Sequence, residues 1–229
     1  LPIIVSERTD PSHHHIGSVW KGLRAVLYRR ADAVVVQTLS VGHWCSTLIG
    51  EKTVHVIPNP VNPELNGSEK LLNRQGGGHT VVAVGRLGRE KGFDLLIQAF
   101  ARCAATHADW SLAIVGEGRE RATLEALVST IGIADRVSFP GRVRDPFPIL
   151  RGADLFVLSS RYEGFPNVLL EAMACGLAVI AADCPSGPRD IISDGVDGVL
   201  VPPSDVDALT AAMDRLMTDQ VERQRLWAK

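Results

Sequence analysis

The first sixty residues alternate short β-branched runs with helix-spaced apolar positions. Ile3–Ser6, Ala33–Val36 and Val54–Ile57 are too short for helices and read as strands, the last stopped by Pro58-Asn59-Pro60. Between them, Ser18–Arg30 carries apolar residues at 19, 20, 23, 26 and 27, close to helical spacing, and Val41–Ile49 predicts a second, shorter helix. Strands and helices in this order imply the end of a parallel, nucleotide-fold type of sheet. The rhythm breaks over Asn62–His79, where Pro63, Gly67, Ser68 and Gly76-Gly77-Gly78 mark a linker. It then resumes with predicted strands at Val81–Val84, Leu112–Val115, Val137–Phe139, Leu155–Leu158, Ala178–Ala181 and Val199–Val201. The intervening helices are predicted at Phe93–Thr106, Glu120–Ile131, Pro148–Arg151, Val168–Cys175 and Val206–Met217, with a helical turn at Arg189–Ser193. Near-continuous apolar strands joined by helices imply a parallel sheet buried on both faces. Right-handed crossovers then make it a doubly wound, Rossmann-like α/β domain. The expected division is 1–60, the C-terminal part of a first Rossmann-like domain; 61–79, a linker; 80–217, a ligand-binding Rossmann-like domain; and 218–229, the start of a terminal helix, with Glu222–Lys229 helical in pattern.

Composition narrows the function classes. A chain of 229 residues with 45% hydrophobic and 22% charged positions is globular rather than disordered. Lys+Arg number 24 against 26 Asp+Glu, a balance that disfavours a generally basic, nucleic-acid-coating protein and leaves room for a local basic cluster. No apolar run reaches the ~18–20 residues that span a bilayer. The opening Leu1-Pro2-Ile3-Ile4-Val5 reads as a strand entered in mid-fold, so a fragment with an incomplete first sheet and an exposed edge is expected. Cys45, Cys103, Cys175 and Cys184 form no C-x-x-C pair, and a chain of this length builds a core without disulfides, which fits a reducing, cytoplasmic compartment. His13-His14-His15 point in different directions as adjacent residues do, which suits a loop rim better than a metal site.

In an open parallel sheet, ligands bind beyond the carboxyl ends of the strands, so the loops there carry the chemistry. The first, Gly85-Arg86-Leu87-Gly88-Arg89-Glu90-Lys91-Gly92, combines glycines that admit close backbone approach with cations suited to phosphate oxygens. A solvated turn with surface charges is the plain alternative. It is neither a P-loop nor a dinucleotide fingerprint. The loop Ser159–Asn167 leads into a helix, with Asn167 expected as its N-cap and the amides of Val168, Leu169 and Leu170 expected to lack intrahelical acceptors. Such a helix start suits an anion. Glu163 in the loop and Glu171 one turn into the helix can accept hydrogen bonds from hydroxyls. Cations and amides for a diphosphate, with carboxylates for a polyol, describe a nucleotide-sugar. For Glu171 alone, a charge–dipole contact with the helix N-terminus is an equal alternative. Gly141–Pro146 could present backbone to a base edge, or be a plain turn. Glu7 and Arg8 end a strand facing the cleft, or an ordinary turn.

These residues together carry a resemblance. Gly85-Arg86-Leu87 with Lys91-Gly92, then Glu163-Gly164-Phe165-Pro166-Asn167-Val168-Leu169-Leu170-Glu171, then Asp190-Ile191-Ile192 and Gly195–Pro202 resemble the family-4 retaining glycosyltransferases of GT-B fold, over about residues 80–217. Val54–Pro60 looks like that family's interdomain crossing, and Glu163 and Glu171 meet its E-x7-E spacing. The resemblance implies that Arg86 and Lys91 hold the donor diphosphate and that Glu163 contacts the transferred sugar. It also implies that Gly85, Gly164, Phe165 and Asn167 lie near sugar and phosphate, that the Val168 and Leu169 amides cap the phosphates, that Glu171 binds ribose and that Val143 lies near the base. It implies a nucleotide-sugar substrate without metal or other cofactor, and retention of configuration. Ser6–Pro11 and Asn167–Pro188 look like bacterial enzymes that extend lipid-linked oligosaccharides or surface polysaccharides, N-acetylgalactosaminyltransferases acting on undecaprenyl-diphosphate carriers among them. A UDP-N-acetylhexosamine donor would follow, as would peripheral contact with the inner face of the cytoplasmic membrane through a first domain of which only the end is expected here. A pyridoxal-phosphate phosphorylase lacks its lysine here. An epimerase of similar fold or a non-catalytic nucleotide-sugar-binding protein are the alternatives.

Overall fold

The structure, a computed structural model, describes residues 1–9, 11, 16–50, 53–61 and 78–227. His13–His15 and most of the predicted linker, 62–77, lie outside the described residues. Two parallel sheets organise the described residues.

The smaller sheet holds β1 (Ile4–Glu7), β2 (Ala33–Val36) and β3 (Val54–Val56), in that spatial order and all parallel. Helices α1 (Gly17–Tyr28) and α2 (Leu39–Ile49) connect them. The helix α2 begins two residues before the predicted Val41 because Thr38 caps it: the hydroxyl accepts from the Val41 amide at 3.3 Å. Its core is small: Ala31, Val34, Val36, Val41 and Cys45. The helix α1 buries no residue and leaves Val19, Trp20, Leu23, Val26 and Leu27 exposed.

The larger sheet holds β4 (His79–Val84), β5 (Trp110–Val115), β6 (Val137–Gly141), β7 (Leu155–Leu158), β8 (Ala178–Ala182) and β9 (Val199–Val201). Their spatial order is β6-β5-β4-β7-β8-β9, all parallel. This is the doubly wound order, with the crevice-forming switch point between β4 and β7. The strands β4 and β5 start two residues before the predicted runs. His79 pairs with Trp110 and Thr80 with Ser111, a backbone ladder that continues where the apolar pattern does not. A 3-10 turn (Arg89–Lys91) and α3 (Phe93–Ala104), α4 (Arg121–Ile131), α5 (Phe147–Gly152), α6 (Asn167–Ala174), α7 (Pro188–Ile191), α8 (Val206–Thr218) and α9 (Gln220–Trp227) complete the lobe.

Alternation along each strand sends side chains to two cores. Val81, Leu112, Ile114, Leu155, Val157 and Ile180 pack with Phe100 of α3, Leu124 of α4 and Met213 of α8. Val82, Phe156, Leu158, Val179 and Ala181 pack with Leu150 of α5 and Leu169 and Ala172 of α6. The sheet is thus buried on both faces, as its unbroken apolar strands require. All four cysteines are free thiols and buried.

Candidate functional site

The β4 and β7 loops diverge from the switch point and are tied together by polar contacts. Ser159 donates to the Lys91 carbonyl at 2.9 Å, and the Arg161 amide to the Glu90 carbonyl at 2.8 Å. Arg161 grips Asp94, at the start of α3, with two parallel bonds of 2.8 and 2.7 Å. That fork holds the Asp94 carboxyl below the usual carboxylate range. Gly92, at φ +63°, makes the approach possible: a Cβ there would lie 2.1 Å from the Ser159 carbonyl oxygen.

This bracing brings Lys91 to Glu163. The ammonium donates to Oε1 at 2.6 Å, and the Ser160 hydroxyl donates to the same oxygen at 2.6 Å. Both carboxylate and hydroxyl are buried, while the Lys91 side chain retains one-fifth of its exposure. Arg86 is exposed and pairs with Glu90 at 3.0 Å. Each cation expected to face phosphate therefore already has a carboxylate beside it. Ser160 carried no local signal.

The start of α6 differs from expectation. Pro166, not Asn167, occupies the N-cap, and no side chain caps the helix. Asn167 is the first helical residue, and its Oδ1 accepts from Asn59 Nδ2 at 2.5 Å. The Asn167 amide is donated to the Phe165 carbonyl at 3.0 Å and the Leu169 amide to the Pro166 carbonyl at 2.9 Å. The Leu169 amide, expected to lack an acceptor, has one. Its side chain is core, and Val168 packs against the same core.

Two of the cavities that flank these loops are lined by expected site residues. One, of about 340 Å³, opens between the two lobes and is lined by Arg8, Asn59, Phe147, Asn167, Leu170 and Glu171. Burial raises the Glu171 carboxyl above its ordinary range. The other, of about 370 Å³, is lined by Val84, Gly85, Arg86, Val115, Gly116, Val143 and Pro146, among others. Glu171 thus faces the interlobe cavity, while Gly85, Arg86 and Val143 share the second. Gly164 lies at the lobe contact: a Cβ on it would be 2.7 Å from the Arg8 carbonyl oxygen. Glu7, by contrast, is buried and engaged by Tyr28 at 2.7 Å and Thr9 at 2.8 Å. It anchors the strand end, while Arg8 lines the cleft. Among the described residues no cluster of three His, Cys, Asp or Glu suits a metal, and no helix is long and apolar enough to cross a membrane.

Known proteins share this sequence and shape. An exopolysaccharide phosphotransferase of Streptomyces coelicolor is 36% identical over 82% of the chain, which spans 20% of that protein. The N-acetylgalactosamine-N,N'-diacetylbacillosaminyl-diphospho-undecaprenol 4-alpha-N-acetylgalactosaminyltransferase of Campylobacter jejuni is 28% identical over 97% of the chain, which spans 62% of it. The chain thus covers less than two thirds of each of these relatives. The structure of Anabaena HepE in complex with UDP superposes with a TM-score of 0.90 at 24% identity, over 99% of the chain and 65% of HepE, a likeness of fold. Residues 68–229 match the family model described as glycosyl transferases group 1. With the doubly wound lobe and its paired loops, that match makes the chain a member of the glycosyl transferases group 1 family, built on the GT-B fold.

Proposed function

We propose that the chain carries the donor side of a retaining family-4 glycosyltransferase. Its donor is a UDP-sugar, with UDP-N-acetylhexosamine first, and its acceptor a lipid-linked oligosaccharide or surface polysaccharide. The observation that carries this is the Lys91–Glu163 pair that ties the β4 and β7 loops at the switch point, with Arg86 on the same β4 loop beside the cavity shared by Gly85 and Val143, and Glu171 facing the interlobe cleft. In the transfer, the bond between the anomeric carbon and the β-phosphate oxygen breaks, and the nucleoside diphosphate leaves with the electron pair. An acceptor hydroxyl forms the new bond, and its proton passes to the departing β-phosphate oxygen, which has taken the electron pair. Negative charge grows on the β-phosphate, where Arg86 and Lys91 would stabilise it. That would do the work of a divalent ion, so no metal cofactor is expected. Glu163 would contact the sugar, Glu171 the ribose and Val143 the base. Gly85, Gly164, Phe165, Asn167 and the Val168 amide would lie along sugar and phosphate. The UDP carried by HepE and the undecaprenol-linked acceptor named for the Campylobacter relative support this donor and acceptor. A cytoplasmic location with peripheral membrane contact would follow from such an acceptor.

Calorimetry with UDP, UDP-N-acetylglucosamine, UDP-N-acetylgalactosamine, UDP-glucose and GDP-mannose, with and without EDTA, tests this. UDP and a UDP-N-acetylhexosamine should bind equally in EDTA. Binding only with added magnesium would remove the metal-free reading, and no nucleotide binding would remove the whole. The Streptomyces relative's name favours one rival, transfer of a sugar phosphate. That reaction releases UMP where glycosyl transfer releases UDP, so the nucleotide product separates the two.

A further inference from the structure

The loop that carries Glu163 is held from behind by a chain of hydroxyls that crosses from the smaller lobe. Ser186, in the loop after β8, donates to the Gly164 carbonyl at 3.0 Å. A serine hydroxyl has one proton, so with that proton spent Ser186 can only accept from its other neighbour. That neighbour is Thr38, 3.2 Å away, at the N-terminus of α2 in the other lobe. Thr38 already accepts from the Val41 amide, so its own proton is available to Ser186. Ser40, also 3.2 Å from Thr38, competes for that proton at the solvent-facing end. Thr38 and Ser186 are both buried, so each needs its partner. The seam continues alongside: the Leu39 amide donates to Asp190 Oδ1 at 3.2 Å, placing a carboxylate at the start of α2. Gly187 lets the β8 loop lie on the donor loop, since a Cβ there would be 2.5 Å from Pro166 Cδ and 3.1 Å from the Gly164 oxygen.

We propose that Ser186 and Thr38 are positioning residues: the relay Thr38–Ser186–Gly164 sets the Glu163–Asn167 loop through contact between the lobes, so that donor binding and lobe contact are coupled. Thr38 lies outside both cavities, so any effect it has on nucleotide affinity must travel through the contact between the lobes, where this relay is the link that ends on the Gly164 carbonyl. The donor part of the inference rests on the reading above; the loop part does not.

The experiment uses Thr38→Val, Thr38→Ser, Ser186→Ala and the Thr38→Val/Ser186→Ala double variant of the chain. Hydrogen exchange is followed at residues 163–167 without nucleotide, and UDP affinity by calorimetry. Thr38→Val should speed exchange at 163–167 and weaken UDP binding several-fold. Thr38→Ser, which keeps the hydroxyl and the helix cap, should restore both. The double variant should lose no more than the worse single one, as members of one network do. A merely structural Thr38 would lower the stability of residues 1–61 and leave exchange at 163–167 unchanged, and that result would overturn the proposal. Additive losses of UDP affinity would overturn it as well, as would faster loop exchange with unchanged UDP binding. If the parent chain binds no UDP, the donor reading fails, while the exchange data still decide whether the relay holds the loop.

Discussion

A lysine ammonium held 2.6 Å from a carboxylate that is only 9% exposed has given up much of its hydration, and the contact offsets that loss only while both partners are present. Lys91→Ala strands Glu163 in a buried position with Ser160 as its one remaining donor among those described above. We expect about 2 kcal/mol of lost stability by urea titration, below the range for fully buried pairs because Lys91 remains partly open. Adding Glu163→Gln to Lys91→Ala should recover part of it, and simple additivity would show that the two do not act as a pair. The same lysine should matter to the ligand. Lys91→Ala and Arg86→Ala should each weaken UDP binding at least tenfold, since hydrogen bonds to charged groups contribute about 1.5–3 kcal/mol. Glu171 gives a pH signature. Burial raises its carboxyl, so protonation occurs at a higher pH than for an ordinary glutamate, and the protonated acid accepts poorly from ribose hydroxyls. UDP affinity should therefore fall more steeply on acidification than that of a 2′,3′-dideoxy analogue, which shares the protonation of the diphosphate but not the contact with Glu171. Glu171→Gln should flatten the UDP profile. Equal pH dependence for both ligands would return Glu171 to a charge–dipole role at the helix start.

At the scale of elements, the loop that carries Glu163 lies between two neighbours that leave it no spare room. Gly164 meets the Arg8 carbonyl oxygen and Thr9 Cα on one side, at 2.7 and 3.1 Å from an added Cβ, and both are backbone. Gly164→Ala should thus cost about 1–3 kcal/mol as an overpacked contact, read by denaturant titration. It should also weaken UDP binding by displacing Glu163; a variant unchanged in both would place the lobes further apart than they are here. How much of this was legible in the sequence follows from the range of each signal. Strand alternation and helical spacing are local, so the paired sheets, their parallel sense and the loops at their carboxyl ends were readable from Val81, Leu112 and Leu155 outward. Contacts between loops were not: Lys91 and Glu163 are 72 residues apart, and nothing local states that one neutralises the other. Asn167 was misread as a cap because asparagine before an apolar run suits that role. Pro166 occupies the cap with φ −79° and ψ 84°, which puts Asn167 inside the first turn and turns its side chain to Asn59. Thr38 and Ser186 were invisible for the same reason as the ion pair, being 148 residues apart.

On the scale of the whole chain, apolar burial is divided unevenly between the two sheets. Leu1, Ile3, Ile4, Trp20, Leu23, Leu27 and Ile57 are exposed around the smaller sheet, whose buried core is limited to Ala31, Val34, Val36, Val41 and Cys45. The larger sheet is covered on both faces, by Phe100, Leu124 and Met213 of its helices on one and by Leu150 and Leu169 on the other. Stability follows buried apolar area at about 25 cal/mol per Å², so the two units should open with different free energies. Residues 1–61 should exchange their amides fastest and lose structure first on heating, with 78–227 retained to a higher temperature. The interlobe hydrogen bonds among the described residues, Asn59 to Asn167, Thr38 to Ser186 and Leu39 to Asp190, join polar groups rather than apolar cores, and should couple the two transitions only weakly in the empty chain. UDP adds linkage on one side: bound to the larger lobe, it should raise the second transition with its concentration. If the relay through Thr38 operates, it should also draw the first transition upward. Differential scanning calorimetry with and without UDP separates these outcomes. One transition at all UDP concentrations, with equal amide protection in both regions, would show that the small core is stabilised by more than the contacts described here.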